Sequence, residues 1–162
     1  MLNRRNVITG AVGVLGFASV QVAKAAGDLT RQQPITVSVE LGSADGRHVF
    51  HPNRLTFETG KLYRLVLRNV SQAPHYFTSN DFAARIFTRK VQVVQRQPDG
   101  SEVTLAEFKG VITEIEVYPG HAAEWWFVPV GTGRITDLRC GIVAPDGQSH
   151  AQHGMVGEII IQ

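Results

Sequence analysis

The sequence has little sulfur and no surplus of charge once its first residues are set aside. Its 162 residues contain one cysteine, Cys140, and one methionine beyond the initiator, Met155. A single cysteine excludes an intramolecular disulfide scaffold. Three of the 16 lysines and arginines fall within residues 1–25, which leaves 13 basic against 14 acidic residues in the remainder. This balance argues against nucleic acid and against an anionic membrane surface as partners.

Only the beginning of the chain carries a long apolar run. Arg4 and Arg5 precede an uncharged stretch over residues 7–22, and residues 23–25 read Ala-Lys-Ala. This order predicts an export signal peptide over residues 1–25, with an ordinary secretory or a twin-arginine signal both open. A membrane anchor is the alternative, but three glycines interrupt a run shorter than the ~20 residues that span a bilayer. We therefore expect a periplasmic mature chain, residues 26–162, without stable membrane insertion.

The mature chain reads as a succession of short strands. Runs rich in β-branched and aromatic residues alternate with Gly, Pro and Asp turn signals every 8–12 residues or so. This pattern predicts an all-β protein, an antiparallel sandwich or barrel in a single domain. The predicted strands cover residues 35–41, 54–58, 62–70, 91–95, 111–118, 123–128, 134–140 and 156–161.

One segment, residues 81–90, departs from this alternation. Its apolar side chains recur at helical spacing, and an acidic or amide residue at its start could cap a helix. The sequence therefore predicts one short amphipathic helix on the sandwich, within an inserted region around residues 81–110. The apolar positions are Phe82, Ala83, Ile86 and Phe87, and the candidate caps are Asn80 and Asp81.

A set of soft metal ligands follows the predicted strand 134–140. Cys140, His150 and Met155 lie in one loop before the last strand. A thiolate, imidazoles and a weak axial thioether are the ligands of a mononuclear copper site, which needs a second imidazole. His75 supplies it, because it follows the strand 62–70 and strand ends gather at one end of a sandwich. The sequence thus predicts one copper ion per chain, bound by these four residues.

The remaining histidines are weaker candidates for metal ligands. His153 is a rival to His150, which we favour because four residues between it and Met155 allow the chain to turn both side chains into one site. His48 and His51 are expected to be solvated without forming a site, and His121, in a Pro-Gly turn, is expected to be exposed.

These features resemble the cupredoxins, above all the exported copper-binding proteins of bacteria. The resemblance covers residues 33–162, and three groups of residues carry it. They are Asn69, His75 and Phe77; the turn 117–120 before strand 124–128; and Cys140, His150 and Met155 followed by Val156-Gly157-Glu158-Ile159-Ile160. The resemblance implies a Greek-key β-sandwich, copper held by His75, Cys140 and His150 with Met155 axial, and single-electron transfer. It also implies that Asn69 ties the His75 loop to the Cys140 loop by hydrogen bonds.

Two spacings depart from the family pattern. Nine residues separate Cys140 from His150, where about four are common. Another 64 residues separate His75 from Cys140, and the inserted region accounts for the excess. The longer interval between Cys140 and His150 affects the shape expected for the ligand loop. The longer interval between His75 and Cys140 suggests that the inserted region is a lid or docking surface.

The expected function is electron transfer between redox partner proteins by a monomer that is not an enzyme. A copper chaperone or storage protein is the principal alternative, although a single methionine in the mature chain argues against it. A thiol enzyme using Cys140 and His150 and a copper-free interaction module are further alternatives. Copper oxidases need His-x-His ligand pairs, and the sequence has none.

Overall fold

Two β-sheets face each other in residues 31–162, the part of the chain that the computed structural model describes. The predicted signal peptide, residues 1–25, lies outside the described residues. Within residues 31–162, no helix is both long and apolar enough to cross a bilayer. The predicted β-sandwich with one short helix is confirmed.

The first sheet has six strands in the order β2-β1-β4-β9-β6-β7, and the second has five in the order β3-β11-β10-β5-β8. The strands of the first sheet are β1 (Ile35–Leu41), β2 (Phe50–His51), β4 (Tyr63–Asn69), β6 (Ile86–Arg96), β7 (Glu102–Phe108) and β9 (Ala122–Pro129). Those of the second are β3 (Arg54–Phe57), β5 (His75–Thr78), β8 (Glu114–Val117), β10 (Gly133–Arg139) and β11 (Val156–Ile161).

The turn pattern predicted an antiparallel sandwich, but two strand pairs among the described residues are parallel. β1 pairs with β4 in parallel, with Ile35 opposite Tyr63, and β3 pairs with β11 in parallel, with Leu55 opposite Ile159. Turn signals show where strands end but carry no information on which strands become neighbours. The parallel pairs matter for the site, because β1 and β4 then end side by side at the same end of the sandwich, with Leu41 opposite Asn69.

Aromatic side chains fill the space between the sheets. Trp125 and Phe127 of β9 are fully buried, and Phe57 of β3 contacts Phe127 with ring centroids 5.2 Å apart. Burying each such ring contributes about 1.5–3 kcal/mol relative to exposure. The core thus holds the strand ends, and with them the loops between strands, in fixed positions.

The predicted helix at residues 81–90 is present but much shorter. Helix α1 spans Asn80–Ala83, and its N-cap is Ser79, whose hydroxyl accepts a hydrogen bond from the Phe82 amide. Residues from Ile86 onward belong to β6 instead, so the prediction was wrong for that half of the segment. In this segment, hydrogen bonding between β6 and β9 outweighs the local preference for a helix. A β-bulge between Thr88 and Lys90 also interrupts the alternation of side chains by which a strand is recognised in a sequence.

Candidate metal centre

The predicted ligands lie at one end of the sandwich, where β5 begins and β10 ends. His75 is the first residue of β5 rather than a loop residue, and Cys140 directly follows β10. β5 and β10 are neighbours, with Thr78 opposite Arg139. The amide of Tyr76 donates a 3.2 Å hydrogen bond to the Cys140 sulfur. Strand pairing therefore brings together two residues that are 65 positions apart in sequence.

Three donor atoms converge at this point. Nδ1 of His75 lies 3.2 Å from Nδ1 of His150, and the Cys140 sulfur lies 3.9 Å and 3.4 Å from these two nitrogens. All three side chains are buried; His75 and Cys140 have no exposed surface and His150 is 3% exposed. The structure thus brings these three predicted residues into one enclosed cluster.

The spacing of the three donors fits a copper ion. Ligand atoms about 2.0–2.3 Å from one ion, at angles of about 100–120°, lie roughly 3.1–3.8 Å from one another. Two of the observed separations, 3.2 Å and 3.4 Å, fall within this range, and the third, 3.9 Å, lies just above it. Two imidazole nitrogens facing each other at 3.2 Å also need a proton or a metal ion between them, because two lone pairs at that distance would repel each other. A thiolate with two imidazoles is a donor set that copper prefers.

A hydrogen-bond chain orients the His75 ring. The Ser71 hydroxyl lies 2.9 Å from Nε2 of His75, which leaves Nδ1 facing Cys140 and His150. The Asn69 side-chain oxygen in turn accepts hydrogen bonds from the Ser71 amide and hydroxyl, each 2.9 Å long. Such outer contacts fix the tautomer and the direction of a metal-binding imidazole. Protein contacts therefore set the direction of the His75 ring.

Asn69 does not make the connection that the resemblance implied. Its side-chain amide donates to the carbonyl groups of Ala73 and Val117, at 2.7 Å and 2.8 Å. These bonds close the turn before His75 and attach it to β8, not to the Cys140 loop. The link between the two ligand segments is instead the Tyr76 amide on the Cys140 sulfur.

The loop from Cys140 to Met155 is closed by its own backbone. The Cys140 amide donates to the Met155 carbonyl, the Met155 amide to the His150 carbonyl, and the His150 amide to the Ile142 carbonyl. An isolated bridge between Val143 and Ser149 adds a further constraint. The side chain of Met155 is fully buried. The segment 141–154 thus forms a compact loop that returns His150 and Met155 to the neighbourhood of Cys140.

His153 lies outside the cluster. Nε2 of His153 is 2.9 Å from a carboxylate oxygen of Asp146, and its side chain is 32% exposed. The structure thus places His150, not its rival, beside Cys140 and His75.

His48, for which no site was expected, is part of the same cluster. Its ring stacks on that of His150 with centroids 3.7 Å apart and planes inclined by 16°. Ligand atoms of His48, His75 and His150 all lie within 4.8 Å of one another. The signal that sequence reasoning lacked is topological, because His48 reaches the site through the parallel pairing of β1 with β4. His51 and His121 are exposed, as the sequence predicted for both.

Burial sets the protonation of the cluster. Loss of solvent, with smaller contributions from the rings of His150 and His48, lowers the pKa of His75 from 6.5 to about 4. Loss of solvent also lowers the pKa of His150 and raises that of the Cys140 thiol, although the amides of Tyr76 and Ile142 partly offset the latter. At neutral pH the imidazoles are therefore uncharged and able to bind a metal, whereas the thiol must lose its proton to do so.

Comparisons with known proteins identify the fold. A multicopper oxidase from Campylobacter jejuni, a metallo-oxidase, aligns over 87% of this chain with a TM-score of 0.55 and 14% identity. The chain has a cupredoxin-like fold. It spans 32% of that oxidase, about a third of its length, and at this identity the likeness concerns the fold alone. The sequence matches no known family profile and no curated protein.

Two auracyanin structures are also similar, at lower scores. Auracyanin from the photosynthetic bacterium Roseiflexus castenholzii, reduced with dithionite, has 15% identity and a TM-score of 0.45, with 78% of this chain and 96% of that one covered. Auracyanin B has 18% identity and a TM-score of 0.47, with 84% and 95% covered.

Proposed function

We propose that this protein is an electron carrier in which His75, Cys140 and His150, with Met155 as a weaker fourth ligand, would hold one type 1 copper ion. The observation that carries the proposal is the enclosed triangle of one sulfur and two nitrogens with sides of 3.2–3.9 Å. Copper bound there would supply one-electron exchange between Cu(II) and Cu(I).

The surrounding residues suit that chemistry because they restrict movement and exclude water. The Tyr76 amide fixes the Cys140 sulfur and the Ser71 hydroxyl fixes the His75 ring, so neither needs to move when the charge of the site changes. The ligand side chains are buried, and Cys140 has no surface exposed to a substrate in solvent. A rigid, closed site favours electron transfer over catalysis on a bound molecule.

Visible absorption and EPR spectra after addition of Cu(II) to the mature chain test the proposal. We expect an intense thiolate-to-copper band and narrow copper hyperfine splitting, both lost in Cys140→Ser and altered in His150→Ala. His121→Ala is the matched control, since it removes an exposed imidazole and should leave both signals unchanged. Copper bound without the band would indicate a chaperone or storage role. No binding would contradict the proposal altogether.

The proposed setting is the periplasm, with redox proteins as donor and acceptor and the carrier as a monomer. The observation in its favour is the order of residues 1–25, in which a charged start is followed by an apolar stretch and then by small residues. Mass spectrometry of the protein from a periplasmic extract should show a mature chain that begins near Ala26. A full-length chain in the membrane fraction would support an anchor instead.

A further inference from the structure

His48 differs from the other cluster residues in its exposure to solvent. His75 and Cys140 are fully buried and His150 is 3% exposed, whereas His48 is only partly buried. Its ring covers the ring of His150 at 3.7 Å and lies 5.7 Å from that of His75. His48 is therefore the first of these three described histidines that an ion arriving from solvent would contact.

One nitrogen of His48 lacks a hydrogen-bond partner. Nδ1 of His48 is buried and forms no hydrogen bond. Leaving a buried polar atom unpaired costs about 1–3 kcal/mol. Such atoms call for a specific explanation, and a bound ion is one of the few available. A neutral imidazole carries a lone pair on one of its nitrogens and is the usual histidine metal ligand.

The three imidazoles can share one ion once the His48 ring turns off the face of His150, because two stacked rings do not both direct an in-plane lone pair at one ion. Their ligand atoms lie within 4.8 Å of one another. At angles of about 100–120°, nitrogens about 2.0–2.1 Å from one ion lie about 3.1–3.6 Å apart, so the longest separation must shorten by up to about 1.2 Å to enter this range. His48 lies between β1 and β2, in a segment closed by hydrogen bonds from the amides of Gly42 and Gly46. A partly exposed side chain on such a loop can move that far.

We propose that His48 is a third imidazole ligand, which forms with His75 and His150 a Cu(II) site that does not need Cys140. This three-histidine site receives the ion from solvent before it reaches the buried sulfur. The inference rests on the proposed function, since both concern one centre, and it adds a ligand set and a route of copper loading.

Copper binding to Cys140→Ser tests the three-histidine site directly. We expect this variant to bind Cu(II) without the thiolate band and with EPR nitrogen coupling from three imidazoles. Cys140→Ser/His48→Ala should bind Cu(II) at least tenfold more weakly and show coupling from one nitrogen fewer. Cys140→Ser/His121→Ala is the matched control and should behave as Cys140→Ser. Equal affinities of the His48 double variant and Cys140→Ser, each folded by circular dichroism, would overturn the proposal.

The rate of copper uptake provides a second readout in the otherwise native chain. In stopped-flow mixing of Cu(II) with metal-free protein, His48→Ala should develop the blue band at least tenfold more slowly, although the band still forms because His75, Cys140 and His150 remain. Equal or faster uptake would show that His48 is no loading ligand, and faster uptake would identify it as a cover. If the unsubstituted chain develops no blue band, the proposed function fails as well; if only the His48 effects are missing, this inference alone fails.

Discussion

Gly42 lies so close to the His75 ring that a larger residue at this position would collide with it. Its φ is +68°, a conformation that L side chains rarely adopt. A Cβ atom added there would collide with Nε2 of His75 and lie 2.6 Å from Cβ of Ser71. The same glycine donates its amide to the Val49 carbonyl and so closes the segment that carries His48. One small residue therefore supports two of the three imidazoles.

Gly42→Ala should therefore damage the site as well as the backbone, and Gly46→Ala separates the two effects. Gly46 also has a positive φ, +85°, but a Cβ there meets nothing within 4 Å. We expect Gly46→Ala to lower the free energy of unfolding by about 1–2 kcal/mol through backbone strain alone. Gly42→Ala should cost about 1–3 kcal/mol more and weaken copper binding at least tenfold. Equal urea unfolding curves and copper affinities for the two variants would contradict this account.

The buried histidines should make the stability of the metal-free protein depend on pH. An unfolded His75 binds a proton below pH 6.5, whereas the folded residue, with its pKa of about 4, does not until the pH falls much further. The unfolded state thus binds more protons between these values, and the free energy of unfolding falls as the pH is lowered. His75 alone accounts for up to about 3 kcal/mol. Urea unfolding between pH 7.5 and 4.5 measures the slope, which His75→Gln should reduce; an unchanged slope would contradict the assignment.

At the scale of secondary-structure elements, the sequence predicted most strands and the ligand loop, but not which strands pair with one another. β1, β4, β9, β10 and β11 are found at or near the predicted positions, because alternation over five or more residues is a strong signal. β7 was missed, since its residues are largely exposed and its pairing with β6 supplies the order. His48 was missed for a similar reason, since its position depends on which strands are adjacent.

The boundary between α1 and β6 gives a direct test at this scale. The helical interpretation placed Phe82 and Phe87 on one buried face, whereas the structure buries Phe82 fully and leaves Phe87 61% exposed. Phe82 contacts Trp125 and Phe127 with ring centroids 5.4 Å and 5.1 Å apart. Phe82→Ala should lower the free energy of unfolding by about 3–5 kcal/mol, and Phe87→Ala by no more than about 0.5 kcal/mol. Comparable losses in thermal or urea unfolding would favour a longer helix.

At the scale of the whole molecule, the two sheets contribute different parts of the centre. His75, Cys140 and Met155 adjoin strands of the second sheet, β5, β10 and β11. Gly42 and His48 belong to the segment between β1 and β2 of the first sheet. Because the His48 ring stacks on the ring of His150 at 3.7 Å, a metal ion held by the second sheet would also restrict the first-sheet segment at this end of the sandwich, in addition to stabilising the folded state by mass action.

Metal binding should therefore raise the melting temperature and slow hydrogen exchange on both sheets near the site. With copper at about 100 times its dissociation constant, the gain in the free energy of unfolding is about 2.7 kcal/mol. Hydrogen exchange of the copper-loaded protein should slow in residues 140–155 and also in residues 42–49, but not in β7, at the far edge of the first sheet. Protection confined to residues 140–155 would mean that the contact between His48 and His150 does not extend the effect of the ion to the first sheet. Protection that disappears from residues 42–49 in His48→Ala, and persists there in His121→Ala, would assign the connection between the sheets to this one imidazole.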